Sequence, residues 1–198
     1  MEKQFNPSAD RNKEAICEVL KIYTQPSFNK VIEIGSGTGQ HAVYICSQLK
    51  FLTWQPTDLR ENLENIKQWI SDSSITNIKD PIRLNVGKDD FPKGRFDIAF
   101  TSNTLHIMSW KQNKAYFKLL GKRLRSGSKA MFYGPFNYDG QFISDGNRRL
   151  DLILKEQNES SGIRNFEDIC SNMFKNGFEL CSDHNMPANN RLLVFTKS

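Results

Sequence analysis

The stretch VIEIGSGTGQH, residues 31–41, decides the fold. An apolar run ends at Ile34, a turn Gly35-Ser36-Gly37-Thr38-Gly39 follows, and a helical pattern begins at once. Glycines in such a turn permit positive φ, remove Cβ atoms where a ligand approaches the backbone, and let the helix pack close to the strand. The spacing is GxGxG. A dinucleotide fingerprint is GxGxxG, and Gln40 stands where its third glycine belongs. No Gly-Lys-Ser/Thr follows, so the turn is not a phosphate-binding P-loop.

Outward from this turn the chain alternates apolar runs with helical periodicity. Strands are expected at 30–34, 52–55, 81–86, 96–102, 129–133, 178–183 and 192–196. Helices are expected at 10–24, with Ser8 as a cap, and at 39–49, 59–71, 111–124, 148–156 and 166–175. A polar, glycine-containing stretch separates them at 137–147. Strands separated by helices of 10–15 residues give βαβ units and a mainly parallel sheet. The last two strands read as an antiparallel hairpin.

A chain of 198 residues is expected to form one domain, with residues 1–28 as an N-terminal helix and possible lid. Hydrophobic residues make up 38% and charged residues 25%, as in ordinary globular proteins. No apolar run approaches the ~18 residues of a membrane span, and the first residues lack a signal-peptide core. A cytoplasmic protein with no membrane partner is expected. Cys17, Cys46, Cys170 and Cys181 are scattered, and three or four of them are expected to pack as reduced, small hydrophobes. No histidine sits at ligand spacing from a cysteine, so no metal is expected. The net charge of +5 permits a nucleic-acid partner without indicating one.

A strand ending in an acid and running into GxGxG resembles motif I of class I S-adenosylmethionine methyltransferases, and the element order resembles their Rossmann-like, seven-stranded α/β fold. That resemblance implies S-adenosylmethionine as cofactor, a molecule with a sulfonium, an ammonium and a carboxylate but no phosphate. Glu33, Gly35, Ser36, Gly37 and Gly39 would then line the amino-acid end of the cofactor. Asp58, which closes WQPTD 19 residues after Gly39, sits where a βαβ fold places a ribose-binding carboxylate, with Leu59 beside it. Capping of the next helix is the other reading of Asp58. Asn85 and Val86 take the adenine position, where a plain turn is the alternative.

The segment FDIAFTSNTLHIMSW, residues 96–110, is the second informative one. It should leave Asn103 and His106 beyond the carboxyl end of a strand, Asn103 toward the cofactor. His106 is a candidate base or acceptor-orienting residue, since imidazole titrates near neutrality, and a structural histidine is the alternative. Tyr133 ends the fifth strand and is a candidate for the acceptor pocket or for the core. No Asn/Asp-Pro-Pro-Tyr motif is present, which favours a small-molecule acceptor over a nucleic-acid base.

Over nearly its full length the chain also resembles domain of unknown function family 938, or methyltransferase-like protein 26. The motifs are PSADRNKEAI, IGSGTGQHA, LTWQPTD, NTLHIMSW, YGPFNYDGQF, GIRNFEDI and MPANNRLLVF. The chain departs from the family at Asp10, Asn85 and Ser161. The resemblance implies a methyltransferase with an unassigned acceptor, and points to Arg11 and Asn12 on the first helix and Asn189 and Asn190 before the last strand as substrate-side residues. A solvated arginine and a turn-forming Asn-Asn pair are the alternatives. An NAD-linked oxidoreductase and a non-catalytic cofactor-binding or protein-interaction module are the competing functions.

Overall fold

The computed structural model describes residues 3–198. Seven strands form one sheet: β1 (Lys30–Ile34), β2 (Thr53–Asp58), β3 (Ile82–Arg83), β4 (Ile98–Ser102), β5 (Lys129–Gly134), β8 (Phe178–Met186) and β9 (Asn190–Lys197). Their order is β3-β2-β1-β4-β5-β9-β8. β2 pairs parallel with both β1 and β3, and β1 parallel with β4. β9 runs antiparallel to β5 and to β8. The expected α/β, Rossmann-like, mostly parallel sheet with a terminal hairpin is therefore present. A separate two-stranded ribbon joins β6 (Phe136–Asn137) to β7 (Arg164–Asn165) and was not legible in the sequence.

The chain divides into two compact units, residues 1–100 and 101–198. In the first, α1 (Pro7–Tyr23) packs beside α2 (Gln40–Gln48), and α2 contacts α3 (Leu63–Ser73). Ile16, Leu20, Val31, Ile32, Trp54, Ile66 and Phe100 are buried at its core. The helix cap is Asn6 rather than Ser8: with Pro7 in the first turn, the Asn6 side chain accepts from the backbone N–H groups of Ser8 at 2.9 Å and Ala9 at 3.3 Å. A short strap, residues 3–6, lies along α3. Gln4 accepts from the Trp69 indole at 2.8 Å, and its N–H donates to Asn65 at 2.7 Å. Asn6 N–H donates to Gln40 Oε1 at 2.6 Å.

In the second unit α4 (Trp110–Arg123) opens on a capping box between Ser109 and Gln112. Its Tyr116 and Phe117 meet Phe132 of β5, which packs in a tilted arrangement against Phe195 of β9 at a centroid distance of 5.6 Å. α5 (Asp145–Gln157) and α6 (Phe166–Lys175) complete this unit. α5 buries Asn147, Asp151 and Leu154 while Leu152 and Ile153 face outward. The cysteine expectation needs correction: Cys17 and Cys46 are buried, Cys170 is half-buried and Cys181 is exposed. Cys181 falls at the irregularity in the β8–β9 register, where its side chain turns away from the core. Among the described residues no helix is long and apolar enough to cross a membrane.

Candidate active site

The glycine turn is held by the neighbouring strand. Gly35 and Ser36 N–H groups both donate to Thr57 O at 3.0 Å, and Thr57 Oγ1 donates to Glu33 O at 2.7 Å. Gly35, Gly37 and Gly39 all have positive φ. Their reasons differ. At Gly39 a Cβ would come within 3.2 Å of Ile66, so glycine admits α3 there. At Gly37 a Cβ would meet nothing within 4 Å, so the backbone faces open space.

Asp58 closes that space from the β2 side. One carboxylate oxygen accepts from Gly37 N–H at 2.6 Å, and the other accepts from Leu59 N–H at 2.7 Å and Asn62 Nδ2 at 2.8 Å. Burial raises its pKa, opposed by those hydrogen bonds. Asp58 thus ties the start of the next helix to the glycine turn. Leu59 is 39% exposed beside it.

Glu33 is fully buried. Its Oε2 accepts from the Trp54 indole at 2.9 Å, while Oε1 has no partner. Burial lifts its pKa to about 7, opposed by the Trp54 hydrogen bond and the neighbouring Ser36 hydroxyl and helped by the Asp58 charge.

Asn85 lies outside regular structure, because β3 covers only Ile82–Arg83 of the strand expected at 81–86. Its N–H donates to Asp89 Oδ2 at 2.7 Å, and its carbonyl accepts from Lys88 and Asp89. The turn reading of Asn85 thus describes its backbone. Val86 beside it is buried.

Arg11 is exposed and donates to Ser8 Oγ at 3.1 Å. Asn12, the other substrate-side candidate on this helix, is buried and its Oδ1 meets His41 Nε2 at 2.6 Å. Asn12, Ile16 and Leu20 share one helix face, a spacing that signals burial. Burial lowers the His41 pKa to about 4. The sequence also hid Gln40, whose Oε1 takes the Asn6 N–H and the Thr38 hydroxyl, tying the strap to the glycine turn.

In the second unit Asn103 and His106 follow β4. Asn103 takes the left-handed conformation, φ 54°, and its N–H donates to Tyr133 O at 2.9 Å. A Cβ on Gly134 would lie 3.7 Å from both Asn103 Oδ1 and His106 Nδ1, so these two side chains meet over that glycine. Tyr133 itself is buried in β5. Burial first, and the Arg164 charge second, lower the His106 pKa to about 4. The imidazole is neutral at physiological pH.

The GIRNFEDI motif earns its place here. Gly162 N–H donates to His106 O at 2.8 Å, and Ser161 Oγ to Ile107 O at 2.7 Å. Arg164 donates to Leu105 O at 3.2 Å, Met108 O at 2.5 Å and Ser160 O at 2.7 Å. The whole 105–108 turn is clamped by its carbonyls, which fixes where His106 stands. Asn189 and Asn190 lie at the β8–β9 turn. Ala188 and Asn189 have φ 57°, and Asn190 Nδ2 donates to Pro187 O at 3.0 Å. Among the described residues no group of three or more His, Cys, Asp or Glu side chains can hold a metal ion.

Comparison with solved structures gives the fold the same answer. An O-methyltransferase family protein from Burkholderia thailandensis superposes with a TM-score of 0.81 at 13% identity, over 94% of this chain and 56% of its own. The mitomycin 7-O-methyltransferase MmcR gives 0.81 at 12% identity, over 94% and 54%. PigF, solved with SAH, gives 0.79 at 14%, over 90% and 53%. The chain thus spans about half the length of each. A family model described as "protein of unknown function (DUF938)" matches residues 3–197, and the chain belongs to that family.

Proposed function

We propose that this chain is a methyltransferase that binds S-adenosylmethionine and methylates a small-molecule acceptor. The observation that carries this reading is the open space over Gly37, bounded by Asp58 and lying at the end of the strand that buries Glu33. The cofactor suits the residues there. Its ammonium answers the unpartnered Oε1 of Glu33. A carboxylate offers about four lone-pair positions, and Asp58 uses three, so one remains for a ribose hydroxyl. Exposed Leu59 offers an apolar edge for the adenine, with Asn85 and Val86 following β3.

When bound, the cofactor supplies an electrophilic methyl on a sulfonium. The chain's own task is then to place the acceptor in line with it, which by itself supplies much of the acceleration. Asn103, His106 and Tyr133 are the residues assigned to that task, with Arg11, Asn12, Asn189 and Asn190 as further candidates. An imidazole with a pKa near 4 accepts a hydrogen bond but is a weak proton acceptor, so His106 orients the acceptor's hydroxyl more than it deprotonates it. The O-methyltransferase neighbours support a small acceptor methylated at oxygen.

Calorimetry with S-adenosylhomocysteine and NAD tests the cofactor. One-to-one binding of the first and no heat from the second is expected; preference for NAD would overturn the reading. Mass spectrometry of hydroxylated acceptors incubated with enzyme and S-adenosylmethionine tests turnover.

A further inference from the structure

Two amide side chains in residues 101–198 are buried and unfinished. Asn137 is 7% exposed and its Oδ1 has no donor; Asn147 is 5% exposed and its Nδ2 has no acceptor. Buried polar atoms are paired in the great majority of cases, so each orphan needs a reason. Their placement supplies one. Asn137 belongs to β6, which continues from Gly134, the glycine over which Asn103 and His106 meet. β6 pairs with β7, whose Arg164 clamps the 105–108 turn. Asn147 lies one helical turn before Asp151 on the same face of α5, and Asp151 accepts from Ile163 N–H at 2.7 Å. Asn137 thus pairs in register with Asn165 of the segment that fixes His106, and Asn147 lies one turn from the Asp151 that holds Ile163 of the same segment.

We propose that Asn137 and Asn147 form the recognition site for an uncharged polar group of the methyl acceptor, Asn137 accepting from its N–H or O–H and Asn147 donating to its oxygen. This rests on the methyltransferase reading above. The ligand class follows from what else is there. The charged side chains in this cluster are already engaged: Asp151 by Ile163 and Lys155, Arg164 by three carbonyls. A carboxylate, phosphate or ammonium would enter without a counter-charge and lose its hydration. A phenol or a primary amide carries the donor and the acceptor that the two amides lack.

The test uses the full chain with and without S-adenosylhomocysteine, and four probes followed by ligand-observed NMR: catechol, benzamide, benzoate and benzylammonium. Catechol and benzamide should bind, with the two ions about tenfold weaker or worse. Asn137→Leu and Asn147→Leu should each weaken the neutral probes about fivefold or more, with S-adenosylhomocysteine affinity within about twofold of wild type. Their melting temperatures should not fall, because an unpaired amide contributes nothing to the fold. A drop in melting temperature, unchanged probe binding in the variants, no binding of the neutral probes, or equal binding of neutral and charged ones would each overturn the amide site. If the leucine variants do not fold, Asn147→Asp keeps the shape and should turn the preference from benzamide to benzylammonium; retained preference for benzamide overturns it. Failure of wild type to bind S-adenosylhomocysteine strikes the cofactor reading instead, and the probes titrated without it still judge the amides.

Discussion

Asp58 serves the glycine turn, the following backbone N–H and Asn62 at once, so its loss acts on binding and on local structure together. Asp58→Ala should weaken S-adenosylhomocysteine binding by about 1.5–3 kcal/mol, the range for a charged hydrogen bond, as read by calorimetry. Unchanged affinity in a folded variant would remove Asp58 from the cofactor site. His106→Ala should raise the Michaelis constant for the acceptor more than it lowers the turnover number. The wild-type rate should show no acidic limb near pH 6.5, because burial holds the imidazole pKa at about 4. A limb near neutrality that vanishes in the alanine variant would make His106 the base after all. At this scale the sequence revealed residues whose place follows from a motif, such as Glu33 and Asp58. It concealed the surroundings of Asn12, Asn137 and Asn147, which are made by segments distant in the chain.

The two tested glycines of the turn separate binding from packing. Gly37→Val puts branches into open space at φ 57°, so its cost falls on ligand binding and on backbone strain. Gly39→Ala brings a Cβ against Ile66 at 3.2 Å with φ 88°, so its cost falls on the α2–α3 contact. Gly39→Ala should lower stability by about 1–3 kcal/mol in urea titrations, and Gly37→Val should abolish S-adenosylhomocysteine binding while remaining folded. The reverse assignment would move the ligand away from Gly37. Elements with strong periodicity, β1, α4 and α6 among them, were readable because local pattern and burial agree. β3 was expected to be longer, since Leu84 and Val86 are apolar; Leu84 N–H still reaches Asp58 O, but the Asn85 N–H and carbonyl go to the Asn85–Asp89 turn instead. The strap at 3–6 and the β6–β7 ribbon left no periodic trace, being held by side chains and single ladder contacts.

For the molecule as a whole, three buried titratable groups shape the pH dependence of stability between about pH 4 and 7. His41 and His106 have pKa values lowered from 6.5 to about 4, so the unfolded chain takes up their protons first as pH falls. Their contribution is complete above about pH 6.5 and is lost toward pH 4, up to about 3 kcal/mol for each. Glu33 works oppositely: its pKa is raised from 4.5 to about 7, so its burial costs most above pH 7 and is relieved as pH falls toward 4.5. Two histidines outweigh one glutamate, and denaturation midpoints from pH 5 to 9 should peak near neutrality. In Glu33→Gln the decline between about pH 6.5 and 7 should disappear and the acid decline should steepen. An unaltered profile would mean that Glu33 ionises freely in the folded chain. The family's fold was legible because the strand and helix alternation is regular along the whole chain, whereas the place of His106 depends on the clamp made by Arg164. One contact made early in this architecture has an optical consequence. Trp54 is fully buried and its indole N–H points at Glu33, so the emission of that tryptophan is set by the charge on the carboxylate. A cation arriving at Glu33 would shift the colour of Trp54 fluorescence, and the chain carries its own dye for the event.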